Sequence, residues 1–300
     1  MTLFTSRILR FPHMAWLWLL CFVLPATLAS AQEAPYFVTY DHHLEEPDNL
    51  EIETSATAGV PRSGQQLFVA PYVEIEYGVT GRWTTELYVE SQATSGDSAV
   101  FTGWRIENRF RPLKREHGIN PVLYLEYENV NEASRILKEI EGHSDLSSER
   151  NAELSRTPAH ELEGKLILSS DVRDWNIAGN FLATKNFSAS EGFEFGYALG
   201  VARPLARIAS GKRCRLCREN FVAGLEMYGG LGSTLDLSLS DTAHYLAPAI
   251  GWQVSDNSSV RFSTAVGLTH VSYPVVLRFG YSYEIRGLRR KLAQIFGGNQ

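Results

Sequence analysis

The feature that most constrains this chain is a period-two alternation of apolar and polar residues, repeated in about twelve segments of about ten residues. In "YVEIEYGV" (Tyr72–Val79), Val73 and Ile75 alternate with Glu74 and Glu76. Successive side chains of a β-strand point to opposite faces, so each segment predicts a strand with one apolar and one polar face. The pattern therefore favours an all-β fold over a helical one.

The two faces resemble those of a membrane barrel more than those of a water-soluble sandwich. Aromatic residues lie near the segment ends on the apolar face, as at Trp83, Trp104, Trp175, Trp252 and Tyr283. The other face carries charges in the first segments, and many Gly and Ala residues in the later ones. An apolar exterior with aromatic girdles and a polar interior is typical of outer-membrane proteins. We predict an all-β fold, a transmembrane antiparallel β-barrel of about 12 strands over residues 50–285.

The connections between segments support this topology. Three tight polar hairpins lie far apart, in "EYGVTGRWTTEL", "LILSSDVRDWNI" and "GWQVSDNSSVRF". Counted along the chain, all three fall at the same end of the barrel, whereas the long connection Asn131–Ala159 falls at the other end. Membrane barrels have short periplasmic turns and longer outer loops. The long connection Pro204–Asn220 falls on the short-turn side, so either it is an extended turn or the strand count is off by one there.

The two ends of the chain differ in composition from the predicted barrel strands. Residues 1–31 combine Arg7 and Arg10 with the apolar "MAWLWLLCFVLPATLA" and the small-residue site "ASA", which predicts a secretory signal peptide. Residues 32–49 are expected to form an N-terminal periplasmic stretch, and residues 286–300 a basic tail. We expect an outer-membrane location with both termini in the periplasm. The net charge of −6 becomes more negative without the signal, which argues against a nucleic-acid partner.

Several segments together resemble a known family. "YVEIEYGVTGRWTTELYVE", "FTGWRIENRFR", "PVLYLEYE", "FVAGLEMYGGLG" and "HYLAPAIGW" are similar to the outer-membrane barrels of the "MetA-pathway of phenol degradation" family. The resemblance implies an outer-membrane barrel that acts as a channel for small organic compounds, and it carries no catalytic residue over. The expected partners are outer-membrane lipid, the barrel-assembly machinery and a small organic or polar solute.

The candidate functional residues are the charged residues of the polar face. They predict either a charged pathway for a polar solute or a network of ion pairs that plugs a narrow structural barrel, whose outer loops would bind a partner. A barrel of twelve strands lies between the filled and the open size classes, so the strand count does not decide between them. The predicted lumen-lining residues are Glu74, Glu76, Glu86, Glu90, Arg105, Glu107, Arg109, Arg111, Glu126, Glu128, Glu161, Glu163, Lys165, Glu194, Arg261 and Arg278.

The cysteine and histidine residues give weaker indications of a functional site than the charged residues do. Cys214 and Cys217 predict a disulfide clip, since an oxidising compartment favours one, although neighbouring basic residues would also suit a reactive thiolate. His42 and His43 lie beside acidic residues that could bind a cation, but a solvated stretch is the simpler interpretation. An outer-membrane hydrolase built on His160 or His244 is a third functional class. We expect no enzyme activity, no cofactor and no metal.

Overall fold

The chain forms a closed barrel of twelve antiparallel strands in the computed structural model, which describes residues 33–62, 66–136, 150–190, 192–206 and 214–297. This confirms the predicted fold class and strand number. The predicted signal peptide lies outside the described residues. The strands are β1 (Leu50–Val60), β2 (Phe68–Thr80), β3 (Trp83–Thr94), β4 (Ala99–Phe110), β5 (Asn120–Asn131), β6 (Pro158–Val172), β7 (Trp175–Asn186), β8 (Glu194–Pro204), β9 (Phe221–Ser233), β10 (His244–Ser255), β11 (Ser258–Gly267) and β12 (Val275–Ile285).

The first and last strands close the barrel. Every strand pairs with its neighbours in the sequence, and β1 pairs with β12 in a register that places Leu50 opposite Ile285 and Val60 opposite Val275. Closure satisfies the backbone hydrogen-bonding groups that an open sheet would leave exposed at its edges. A sheet that crosses the hydrocarbon of a membrane needs this closure, because lipid offers no alternative partners.

The outer surface is apolar along the strands. Leu87, Ile106 and Leu125 are 38%, 41% and 53% exposed, whereas the adjacent inward-facing Glu86, Glu107 and Glu126 are buried. Exposed Trp83, Phe110 and Trp175 lie where β3, β4 and β7 meet one rim of the barrel. Large apolar side chains over a whole exterior would be unfavourable in water, and they match the lipid-facing band and aromatic girdle of membrane barrels.

The two rims differ in their connections. We call the rim with Leu50 and Ile285 the terminal end, and the opposite rim the loop end. Gly81–Arg82, Arg173–Asp174 and Asp256–Asn257 form tight turns at the terminal end. The connection between β8 and β9 also lies there, so it is an extended turn and the strand count is correct. The long connection between β5 and β6 lies at the loop end.

Short helices occupy some connections and the C-terminal tail. Helix α1 (Asn151–Leu154) precedes β6, a single 3₁₀ turn (Arg218–Asn220) precedes β9, and helix α2 (Leu288–Gly297) follows β12. Helix α2 contains much of the basic tail, and its first amide donates to the Asp48 carbonyl at the terminal end. Among the described residues, none of the helices combines the length and the hydropathy required for a transmembrane span.

Candidate functional site

Arg105 on the inner wall is bound to carboxylates of both neighbouring strands. Arg105 Nε lies 2.7 Å from Glu90 Oε1, and Arg105 Nη1 lies 2.8 Å from Glu126 Oε1. The guanidinium also lies 4.1 Å from the ring centroid of Tyr88, in cation–π contact. These strands are adjacent in the sheet, so the alternation of each strand is enough to bring the charges onto one face.

A second cluster surrounds Arg109. Its Nη2 atom lies 2.7 Å from Glu76 Oε1 and also contacts Glu86, and its Nε atom lies 3.1 Å from Glu107 Oε1. Lys165 Nζ lies 3.0 Å from Glu163 Oε1. All six side chains are largely buried from solvent, so the wall of β2 to β6 is a dense network of ion pairs.

The other predicted lumen residues occupy varied positions. Arg261 contacts Glu53, and Arg278 donates to the Tyr228 hydroxyl at 2.6 Å. Glu161 accepts from Asn186 near the loop end. Arg111 lies beyond the end of β4 and donates to the Gly81 carbonyl at the terminal end, away from this network. Glu74 and Glu194 are half-buried on the inner face, and Glu128 is buried there.

The lumen also contains a segment of the chain that is not part of the wall. Residues 33–49, which we call the N-terminal segment, enter the barrel from the terminal end and return to β1. Tyr36, Val38 and His42 are buried there. The sequence predicts a solvated stretch at this position. The segment is instead buried, because its backbone amides find hydrogen-bond acceptors on the inner wall.

One carboxylate holds the middle of this segment. Glu226 on β9 accepts from the backbone amides of Phe37, Val38 and Thr39, at 2.9, 3.1 and 3.1 Å from Oε1. Three successive backbone amides that converge on one carboxylate form strong charge-assisted hydrogen bonds. Sequence analysis did not select Glu226, although its position two residues after Gly224 and two before Tyr228 places it on the inner face.

Side chains of β6 and β7 hold the next part of the segment. The Asn180 side chain accepts from the Tyr40 amide at 2.7 Å and donates to the Tyr40 carbonyl at 2.8 Å. The Tyr40 hydroxyl donates to Glu107 at 3.0 Å, which joins the segment to the charged network. His42 Nδ1 lies 2.6 Å from Ser169 Oγ. The sequence marks Asn180 and Ser169 only as polar residues in strands, so their roles depend on the fold.

Small wall residues make room for the segment on the other side of the lumen. A Cβ atom at Gly200 would lie 2.7 Å from the Tyr36 ring, and one at Gly224 would lie 2.9 Å from Pro35. The Gly and Ala residues of the later strands therefore leave a space that the N-terminal segment fills. A wall of larger side chains would exclude it.

A second insertion comes from the loop end. The start of the β5–β6 connection turns inward, where the Arg135 amide donates to Gln92 at 3.0 Å and the Arg135 guanidinium donates to the Tyr273 hydroxyl at 3.0 Å. Ile136 belongs to the same buried apolar cluster as Val38 of the N-terminal segment. The helical spacing of Ile136, Leu137 and Ile140 in the sequence predicts a short helix in this connection, but Leu137 and Ile140 lie outside the described residues.

The space left between the inserted segments and the wall is small. A cavity of about 170 Å³ is lined by the N-terminal segment and by wall residues that include Glu74, Glu76, Arg109 and Arg261. This cavity has room for several water molecules. Among the described residues, the inserted segments therefore fill much of the lumen.

The pKa values of His43 and Glu45 in the N-terminal segment are strongly raised. Burial lowers the pKa of His43, but hydrogen bonds to Asp171 and Asp41 outweigh this effect and raise it to about 10. Burial raises the pKa of Glu45 to about 7, and the nearby charge of Glu33 acts in the same direction. The position between Asp41 and Asp171 thus favours a positive charge.

The histidines considered for a hydrolase contact tyrosines. His160 Nδ1 lies 3.2 Å from the Tyr127 hydroxyl, and His244 Nδ1 lies 3.0 Å from the Tyr197 hydroxyl. His244 Nε2 also lies 3.0 Å from Thr242 Oγ1 and 3.0 Å from the Leu239 carbonyl oxygen.

The cysteine pair lies outside the lumen, in the β8–β9 connection at the terminal end. Cys214 and Cys217 form a disulfide with a Cα–Cα distance of 5.4 Å. The Cys214 carbonyl accepts from the Asn220 side chain at 2.6 Å, and the Arg215 carbonyl accepts from Trp252 Nε1 at 2.8 Å. The clip therefore attaches this long turn to the barrel rim.

Closure, the apolar exterior and the charged interior together define a membrane-spanning β-barrel of the outer-membrane class. The chain is similar to an outer membrane channel from Pseudomonas putida F1, with 9% identity and a TM-score of 0.55 over 85% of this chain and 100% of that chain. At this identity the similarity is one of fold.

Two porin structures were also found. The KdgM porin in complex with disordered oligogalacturonate is 7% identical, with a TM-score of 0.47 over 78% of this chain and 98% of that chain. The NanC porin is 10% identical, with a TM-score of 0.47 over 79% and 100%. No protein-family model matches the chain, and no significant match was found among curated protein sequences.

Proposed function

We propose that this protein is a passive outer-membrane channel for small solutes whose lumen is closed by its own N-terminal segment. The observation that carries this proposal is the way in which the N-terminal segment is held inside the lumen. Residues 33–49 are bound in the lumen by hydrogen bonds to Glu226, Asn180 and Ser169, and they are not strands of the wall. A segment held in this way can leave without unfolding the barrel.

The solute class follows from the wall and from the resemblance. Buried and half-buried carboxylates outnumber the basic groups along the wall of β1 to β6, which favours positively charged or neutral polar solutes. The resemblance to the "MetA-pathway of phenol degradation" family adds small organic compounds to the expected solutes. Membership of that family stays a prediction. The Pseudomonas putida barrel of similar fold is itself a channel, which supports a transport function.

The second candidate is a structural barrel that never opens. The ion pairs of Arg105, Arg109 and Lys165 favour it, because they fill one side of the lumen with paired charges. The two candidates differ in what happens when the N-terminal segment is released. A channel then conducts, whereas a structural barrel stays closed.

Weakening the contact of Glu226 with the segment tests the proposal. In Glu226→Gln the acceptor loses its charge, so we expect a loss of about 1–2 kcal/mol from three charge-assisted bonds. Such a loss multiplies the population of the released segment about 5- to 30-fold. Single-channel recordings in planar bilayers should show a matching rise in open probability.

Glu161→Gln is the matched control, since Glu161 bonds Asn186 near the loop end. It should leave the open probability unchanged. A folded Glu226→Gln variant with the same low activity as the wild type would count against release of this segment as the opening step.

We propose that the terminal end faces the periplasm, since its three tight turns are of the type found on that side of membrane barrels. Cysteine placed at Ser240, in the β9–β10 connection, should react with an impermeant maleimide on intact cells. Cysteine placed at Thr80 or Asn257 should react only after the outer membrane is permeabilised. Cys214 and Cys217 do not compete while they are joined in a disulfide. The reverse pattern of labelling would invert the orientation.

A further inference from the structure

Two adjacent histidines of the N-terminal segment converge on a carboxylate of the wall. His43 Nε2 lies 3.2 Å and His42 Nε2 lies 3.8 Å from Asp171 Oδ2, at the end of β6. One donor atom from each of the three residues lies within 4.8 Å of the other two. Ligands of a tetrahedral zinc ion, at about 2.0–2.1 Å from the metal, lie about 3.4 Å from one another. The three atoms are therefore close to the spacing of a metal site.

The opposite side of each group has a hydrogen-bond partner that orients it. His42 Nδ1 lies 2.6 Å from Ser169 Oγ, and His43 Nδ1 lies 3.1 Å from Asp41 Oδ2. Asp171 Oδ1 accepts from the Asn176 side chain at 2.8 Å, which leaves Oδ2 directed toward the histidines. Metal-binding histidines are usually oriented in this manner, with the second ring nitrogen on a carboxylate or another polar group.

One of the three donor atoms is buried without a hydrogen-bond partner. The His42 side chain is fully buried, and its Nε2 atom makes no hydrogen bond. An unsatisfied buried polar atom is unfavourable, and most have a partner in folded proteins. A cation at this point would satisfy His42 Nε2 and would also lie against the Asp171 carboxylate.

We propose that His42, His43 and Asp171 form a binding site for a divalent transition metal such as Zn²⁺. Two imidazoles and one carboxylate suit zinc, whereas calcium and magnesium prefer oxygen ligands alone. Asp171 is 42% exposed and His43 is 34% exposed, so a fourth position is open to water on that side. Two of the ligands belong to the N-terminal segment and one to the wall, so the metal fastens the segment in the lumen.

Zn²⁺ titration of the purified full-length barrel in detergent, without a histidine tag, tests the site. Competition with a chromophoric chelator should show one tightly bound Zn²⁺ per chain, and excess Ca²⁺ should not displace it. Removal of an orienting partner typically weakens metal binding about 10- to 100-fold, which is the expected result for Ser169→Ala. Asp171→Asn and His43→Gln each remove a ligand and should weaken binding by more than about 100-fold.

Asp174→Asn is the matched control, because it removes the same charge from the adjacent turn. It should leave the affinity unchanged, and circular dichroism should show the same strand content in every variant. If Asp174→Asn and Asp171→Asn weaken Zn²⁺ binding equally, general charge attraction explains the binding. This result would overturn the proposed site. Absence of stoichiometric binding to the wild type at micromolar Zn²⁺ would also overturn it.

The metal and channel proposals can fail separately. The affinity measurement needs no conductance, so it tests the site even in a barrel that never opens. The effect on opening rests on the proposed function: Zn²⁺ should lower the open probability of the wild type and not that of Asp171→Asn. If Zn²⁺ binds tightly but does not change the open probability of a conducting wild-type barrel, the metal site is supported and its role in closure is contradicted.

Discussion

Deleting residues 33–44 is expected to give steady currents from a barrel that otherwise opens rarely. The deletion removes the backbone amides bound to Glu226, the Tyr40 contacts with Asn180 and Glu107, and the buried side chains of Tyr36 and Val38. The barrel keeps all twelve strands, since β1 begins at Leu50. The vacated space borders the small residues of the later strands, and we expect water to fill it beside the inserted start of the β5–β6 connection.

The current through this deletion variant should favour cations. The excess of carboxylates on the inner wall is surrounded by a low-dielectric barrel, which concentrates their field in the pore. Reversal potentials in a salt gradient measure this preference. Truncation of the chain after Gly287 is the control, because helix α2 is exposed and its removal leaves the lumen filled. A folded deletion variant that passes no current would favour the structural barrel, and a clear anion preference would contradict the proposed charge mechanism.

Replacing Arg105 and Arg109 together with Ala is expected to cost several kcal/mol of unfolding free energy. The change leaves Glu90 and Glu126 without their shared partner, and Glu76, Glu86 and Glu107 without theirs. Breaking one buried ion pair by removing a single partner costs about 3–5 kcal/mol, because a buried charge is left uncompensated. The two clusters are adjacent, so their effects need not add. Urea titration of the folded barrel in detergent or lipid measures the loss.

Removing the carboxylates as well should restore much of the stability. In Arg105→Ala combined with Glu90→Gln and Glu126→Gln, no uncompensated charge remains from that cluster. Arg111→Ala is the control for loss of a cation, since Arg111 bonds the Gly81 carbonyl away from the network. If the double variant keeps the stability of the wild type and passes more current, these side chains are hydrated in an open lumen and the paired network does not hold the wall.

The sequence alone determined the wall of this protein. A strand places alternate residues on opposite faces, so the prediction that Glu86 and Glu107 face the lumen also places Leu87 and Ile106 on the outside, where the structure has them. The same local rule predicted about twelve strands and the rim of the three tight turns, whereas the structure was needed to show that the β8–β9 connection is an extended turn. These properties depend on neighbours in the chain, and a sequence pattern carries that information directly.

The contents of the lumen were decided only by the tertiary structure. Glu226 and the amides of residues 37–39 are separated by most of the barrel sequence, and closure of β1 on β12 brings them together. His42 and Asp171 meet for the same reason. The sequence of residues 32–49 is polar enough to be solvated, and it shows no periodicity that would predict burial. Its position depends on the space left by Gly200 and Gly224 and on distant acceptors that satisfy its backbone, and neither is visible until the barrel has closed.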